Sequence, residues 1–126
     1  MTANQKLVKE FIAAWRRNDV DAVMGFFAPD CVYHNMPLPP VQGTEAIRGV
    51  IQGFAGMASE IDWVLHRIAE AEDGTVLTER TDRFRIGDKW VELPVMGSFD
   101  IRDGSIVAWR DYFDLAQFQQ QLPQQG

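Results

Sequence analysis

Val76-Leu77-Thr78-Glu79-Arg80-Thr81-Asp82-Arg83-Phe84-Arg85-Ile86 is the stretch whose alternation decides the fold. Side chains of a strand point to opposite faces in turn. One face therefore carries Val76, Thr78, Arg80, Asp82, Phe84 and Ile86. The other carries Leu77, Glu79, Thr81, Arg83 and Arg85, a solvated set. Arg80 and Asp82 thus point inward with apolar neighbours. Near the end of the chain the pattern returns: Val107, Trp109, Asp111 and Phe113 share one face, Arg110 and Tyr112 the other. A buried charge is costly unless paired and hydrogen-bonded. Two carboxylates and one guanidinium aimed at one core point to a reaction site.

Around these segments the chain reads as a meander. Strands are expected over residues 60–72, 75–86, 89–101 and 105–113, joined at Asp73-Gly74, Gly87-Asp88 and Arg102-Asp103-Gly104. A two-residue Gly87-Asp88 turn of type II′ pairs Ile86 with Lys89 and sets Arg80 opposite Val95 and Asp82 opposite Leu93. A three-residue second loop pairs Ile101 with Ser105 and sets Asp111 opposite Val95 as well. Arg80 and Asp111 would then lie two strand spacings apart, about 9–10 Å at the backbone. A two-residue second turn without a bulge would instead turn Asp111 outward.

Upstream of the meander the periodicity is helical. Leu7, Val8, Phe11, Ile12 and Trp15 form one face, with Thr2-x-x-Gln5 as a capping box. A second helix carries Val20, Val23, Met24 and Phe27 and is stopped by Pro29. Cys31 to Asn35 reads as extended, and Met36-Pro37-Leu38-Pro39-Pro40 as a stiff loop. A third helix begins at a Thr44 cap, carries Ile47, Val50, Ile51 and Phe54, and ends near Gly56. A closing helix, capped by Asp114, carries Leu115, Phe118 and Leu122; the glutamine-rich stretch from Gln117 to Gln125 is helix followed by a frayed tail. Helices first and a meander after give one α+β domain over residues 1–126, with helices on one face of a curled sheet.

Composition narrows the function classes. With 46% hydrophobic and 24% charged residues, the 126-residue chain is an ordinary globule with room for a core and a small pocket. A net charge of −6 argues against a nucleic-acid binder. No apolar run approaches a membrane span, and the polar start lacks a signal-peptide core, so a cytoplasmic protein is expected. Cys31 is the single cysteine, so no intrachain disulfide forms. His34 and His66 stand alone without metal-ligand spacing, and no phosphate loop or dinucleotide fingerprint is present. No metal or cofactor is expected. Gly49-x-x-x-Gly53 hints at close helix packing.

The polar neighbours complete a candidate site. Tyr33 and Asn35 share a face. The candidate walls are Met36, Leu38, Phe54, Met57, Phe84, Leu93, Val95, Trp109, Phe113 and Phe118. A mostly apolar pocket with a few convergent polar groups is the usual form of a small-molecule site.

Tyr33-His34-Asn35, Arg80-Thr81-Asp82 and Trp109-Arg110-Asp111, in that order, resemble the three signature segments of the limonene-1,2-epoxide hydrolases. Met36-Pro37, Val95-Met96-Gly97 and Phe99-Asp100-Ile101 are similar to the same family. The resemblance runs from the first helix to Phe118. It implies a nuclear-transport-factor-like cone, a curved mixed sheet with helices packed on its concave side, commonly dimeric. It implies addition of water to a small apolar, cyclic or terpene-like epoxide, giving a vicinal diol without a covalent intermediate. Carried across, Asp111 is the general base, Tyr33 and Asn35 hold the water, Asp82 is the general acid, and Arg80 bridges the two aspartates. Two other functions compete on such a fold: a ketosteroid-isomerase-like or polyketide-cyclase-like enzyme, and a non-catalytic small-molecule binding module. Neither requires two carboxylates tied by one guanidinium.

Overall fold

The computed structural model describes residues 1–123. In chain order the elements are α1 (Ala3–Arg16), α2 (Val20–Met24), β1 (Phe27–Asn35), β2 (Val41–Gln42), α3 (Thr44–Met57), β3 (Glu60–Glu70), β4 (Val76–Ile86), β5 (Lys89–Arg102), β6 (Ser105–Tyr112) and α4 (Leu115–Gln121). The end of the glutamine-rich segment, from residue 124, lies outside the described residues. Six strands form one sheet in the order β2-β1-β6-β5-β4-β3. All neighbours are antiparallel except β1 and β6, which run parallel, so the sheet is mixed, as expected of the cone. Among the described residues no helix is long and apolar enough to cross a membrane.

The helix starts follow local chemistry. Thr2 and Gln5 form the reciprocal capping box that opens α1. Asp114 caps α4 by accepting from the Gln117 amide at 3.2 Å. At α3 the cap is Gly43, with φ at 89°, and Thr44 is the first helical residue. The expected Thr44 cap is therefore displaced by one position, because the chain turns into this helix through a left-handed conformation that glycine adopts freely.

Two other expectations are corrected near the N-terminal half. Helix α2 ends at Met24, and Phe27 begins β1 instead of extending the helix. Ring packing decides this: Phe27 and Phe11 meet edge-on at 5.6 Å, and Phe27 lies 6.0 Å from Trp109. Pro29 sits inside β1, in the stretch between Phe27 and Val32 where the register against β6 shifts. A residue without an N–H is accommodated where no ladder bond is asked of it. Gly49 and Gly53 have no neighbouring atoms within 4 Å of where a side chain would begin, so the expected close packing is absent there.

The core lies between α1, α3 and the inner face of the sheet. Val8, Phe11, Ala14, Ile47, Val76, Val91, Phe99, Ile106 and Trp109 are fully buried. Phe11 touches Phe26, Phe27, Phe99 and Trp109 edge-to-face at 5.0–5.7 Å, arrangements that add to the burial of the rings themselves.

Candidate active site

The β4–β5 hairpin has the expected register. Ile86 pairs with Lys89 across a turn whose Gly87 has φ at 60°, Arg80 lies opposite Val95, and Asp82 lies opposite Leu93. The β5–β6 hairpin differs. Arg102 pairs with Ser105 across a two-residue Asp103-Gly104 turn, with φ at 52° and 77°, in place of the expected three-residue loop. Such a turn alone would send Asp111 outward. A bulge restores it: Ile101 pairs with Ile106 but Asp100 pairs with Ala108, so Val107 is left over. Ile106 consequently takes the buried face expected of Val107. Asp111 faces inward, opposite Gly97 and not Val95.

Arg80 spans the gap between β4 and β6. Its guanidinium donates from Nε to Asp82 Oδ1 (2.9 Å), from Nη2 to Asp82 Oδ2 (2.9 Å) and Asp111 Oδ2 (2.8 Å), and from Nη1 to Asp111 Oδ1 and Thr78 Oγ1 (both 3.2 Å). A guanidinium has five N–H donors, and this set of bonds accounts for all of them. The side chain is fully buried, with its carbon 4.6 Å from the centre of the Trp63 ring. Burial disfavours the cation, but the charges of Asp111 and Asp82 and the hydrogen bonds to both together outweigh it and hold the guanidinium pKa above its ordinary value.

The two carboxylates have different surroundings. Asp111 Oδ1 also accepts from the Trp109 indole N–H at 2.8 Å, so Arg80 and Trp109 converge on that oxygen, while Oδ2 accepts from Arg80 alone among the described residues. Among the described residues Asp82 accepts from Arg80 alone. Burial pushes its carboxyl up to about 6; the Arg80 charge and hydrogen bonds act against this, and the Asp111 charge adds to it.

Strand β1 supplies the remaining polar groups. Its parallel pairing sets Tyr33 beside Trp109 and Asn35 beside Asp111. Tyr33 stacks on Trp109 with 4.1 Å between ring centres and donates its hydroxyl to Asn35 Oδ1 at 3.1 Å. Burial, followed by the Asp111 charge, raises the Tyr33 pKa, so the phenol keeps its proton.

Tyr33, Asn35, Asp82 and Asp111 line a cavity of about 270 Å³ between the sheet, α3 and α4. Of the expected walls, Leu38, Phe54, Met57, Phe84, Leu93, Val95, Phe113 and Phe118 line it. Met36 and Trp109 do not. Met36 is more than a third exposed, and Trp109 is buried beneath Tyr33 with its N–H turned to Asp111. Trp15, Val50, Ile51, Trp63 and Leu115 also line the cavity, unforeseen from the sequence. Trp15, Val50 and Ile51 are legible in the sequence only as helix-face residues.

The remaining candidates lie elsewhere. His34 bonds the Leu38 carbonyl oxygen at 2.9 Å and His66 bonds Thr81 Oγ1 at 2.8 Å. Cys31 is buried, and burial followed by the Asp30 charge pushes its thiol up to about 12, away from nucleophile chemistry. No cluster of His, Cys, Asp and Glu suited to a metal occurs among the described residues.

Comparison with known proteins gives one consistent picture. A family model described as the limonene-1,2-epoxide hydrolase catalytic domain matches residues 2–124. The chain is 38% identical over 111 residues to epoxide hydrolase EphG of Mycobacterium tuberculosis, covering 86% of this chain and 71% of that protein. It superposes on the solved structure of an M. tuberculosis LEH-like epoxide hydrolase with a TM-score of 0.82 at 32% identity, covering 95% of this chain and 89% of the other. An NTF2-like protein of unknown function from Burkholderia pseudomallei gives a TM-score of 0.85 at 19% identity, covering 98% and 100% of the two chains, a likeness of fold alone.

Proposed function

The chain belongs to the limonene-1,2-epoxide hydrolase family, and from that premise we propose that it adds water to a small, largely apolar epoxide to give a vicinal diol. One observation carries this reading: a single buried guanidinium is fully spent on two carboxylates and Thr78, and both carboxylates face a cavity whose other walls, Tyr33 and Asn35 apart, are apolar. Epoxide opening needs a nucleophile at carbon and a proton at the departing oxygen. With Asp82 protonated and Asp111 ionised, the triad is electrically neutral, the state that burial favours. Two carboxylates so placed titrate as a coupled pair.

In the proposed step a water lies between Asp111, Tyr33 and Asn35. It gives its proton to Asp111 as its oxygen attacks the epoxide carbon. The carbon–oxygen bond of the ring breaks, and Asp82 delivers its proton to the departing oxygen. Asp111 then holds a proton that Asp82 lacks, and transfer through solvent or the diol resets the pair. Arg80 keeps the two carboxyl groups in register throughout. The apolar walls support a substrate that is small and hydrocarbon-rich, of the cyclic or terpene-like kind.

A single turnover with enzyme in excess, in heavy-oxygen water, tests the mechanism. Direct attack puts the label into the diol at once. Unlabelled first-turnover diol, with heavy oxygen in an Asp82 or Asp111 peptide, would instead establish a covalent ester and overturn the one-step route.

The proposal extends to assembly as a homodimer through the outer face of the sheet. Met96 and Tyr112 pair across β5 and β6, and both are about half exposed there, 51% and 48%. Exposed apolar groups set side by side on a strand face are costly in water and suit a partner surface.

A further inference from the structure

The inner face of β5 carries Val91, Leu93, Val95, Gly97 and Phe99 in alternation. Only Gly97 lacks a side chain. Its place in the register is specific: Thr78 lies opposite on one side and Asp111 on the other. Arg80, which starts from β4 opposite Val95, has to cross β5 to reach Asp111, and its tip crosses over Gly97. A Cβ built at Gly97 would lie 2.4 Å from Arg80 Nη1, 2.8 Å from Asp111 Oδ1 and 2.8 Å from Thr78 Oγ1. Each is closer than a real Cβ contact, and all three atoms belong to the ion cluster.

The backbone does not need a glycine here. Gly97 is not among the glycines with positive φ, and it lies within a regular strand. What is used is the missing carbon and not conformational freedom. We infer that Gly97 is a positioning residue: the notch it leaves in β5 is the seat on which the Arg80 guanidinium lies to bridge Asp82 and Asp111. This deepens the proposed reading of the site and rests on its assignment of Arg80 as the bridge. An alanine suits the extended backbone of β5, so the three side-chain atoms of the cluster, and not the strand, have to give way. It would nonetheless push Nη1 off Asp111 and disturb the base and the acid together.

A double-mutant cycle between Gly97→Ala and Arg80→Met tests this, with two readouts. The first is kcat and KM on cyclohexene oxide. A folded Gly97→Ala protein should lose at least about tenfold in kcat, with KM changed by less than about threefold, as expected when an interaction of the transition state is lost and ground-state binding is not. The second is the thermal midpoint, which needs no substrate. Gly97→Ala should lower it clearly in the wild-type background and much less beside Arg80→Met, where no guanidinium occupies the notch. Should Gly97→Ala alone fail to fold, adding it to Arg80→Met should cost little further stability, and a double variant that fails to fold where Arg80→Met folds would overturn the inference. Unchanged kcat in a folded Gly97→Ala protein, or an equal loss of midpoint in both backgrounds, would overturn the inference. Should the wild-type protein open no epoxide, the stability cycle still decides the role of Gly97, and the failure belongs to the proposed function.

Discussion

At Asp82 burial and charge pull in opposite directions. The carboxyl is raised from 3.8 to about 6, with desolvation larger than the relief from Arg80. If Asp82 is the acid, its protonated form is the active one. Activity should therefore fall as pH rises through about 6, and kcat/KM against pH should show that limb. The sign for stability follows from the same proton. The folded chain holds it in a window where the unfolded chain has lost it, so stability from this group is present at low pH and declines as pH rises from about 4 to about 6. Asp82→Asn should abolish turnover and flatten this part of the stability profile. A limb that persists unchanged in a residually active Asp82→Asn protein would assign it to another group.

Asp111 makes the complementary residue-scale test. Its inward position is held by Arg80 and Trp109. Asp111→Asn keeps an amide oxygen for Trp109 and Arg80 Nη1 and loses only the Nη2 bond, so the fold should survive. Activity should fall by about 100–10,000-fold, the usual worth of a general base. Circular dichroism and diol formation measured on the same sample separate the two effects, and near-wild-type turnover would remove Asp111 from the base role.

At the scale of elements, the β5–β6 hairpin decides whether there is a site at all. A two-residue turn sets one parity and the Val107 bulge reverses it, so Asp111 reaches the inner face only because both are present. The turn depends on Gly104, at φ 77°. Gly104→Val places a branched side chain in a left-handed conformation, at a cost of about 1–2 kcal/mol. Urea unfolding should show that loss. The same variant made at Gly53, inside α3 with open space around it, carries no such penalty, since valine is at least as good in a helix as glycine. Equal losses at both positions would mean that the turn geometry is not what Gly104 supplies.

Across the whole molecule, the inner face of the sheet carries the buried ion cluster and the outer face lies open to solvent. The inner face is closed by α1, α3 and α4 around the cavity. On the outer face charged neighbours pair, as Arg110 does with Asp100 and Arg83 with Asp62 and Glu92. Met96 and Tyr112 interrupt this polar surface. If the proposed dimer uses this face, Met96→Lys should leave the monomer fold unchanged, because the side chain points away from the core, yet shift the molecular mass in solution from dimer to monomer. Light scattering on the two proteins measures this, and an unchanged mass would place any interface elsewhere.

The sequence by itself determined the alternation that turns Arg80 and Asp82 inward, the Gly87-Asp88 hairpin, the helix faces of α1 and α3, and the pairing of Tyr33 with Asn35 on one face. Each of these is a local property, set by a period of two or 3.6 residues or by the conformations a turn residue permits. The tertiary structure alone decided the rest. Val107 bulges in a strand that pairs with β5 on one side and β1 on the other, a setting no short window contains. Strand β1 runs parallel beside β6, which brings Tyr33 onto Trp109 and Asn35 next to Asp111. Trp109 reads as a pocket wall from its alternation, yet it is buried below the site with its N–H on Asp111. The cavity itself is the space left when α3 and α4 close over a curved sheet. Such features arise from hydrogen-bond and packing compromises between segments far apart in the chain, which is why local periodicity is silent about them.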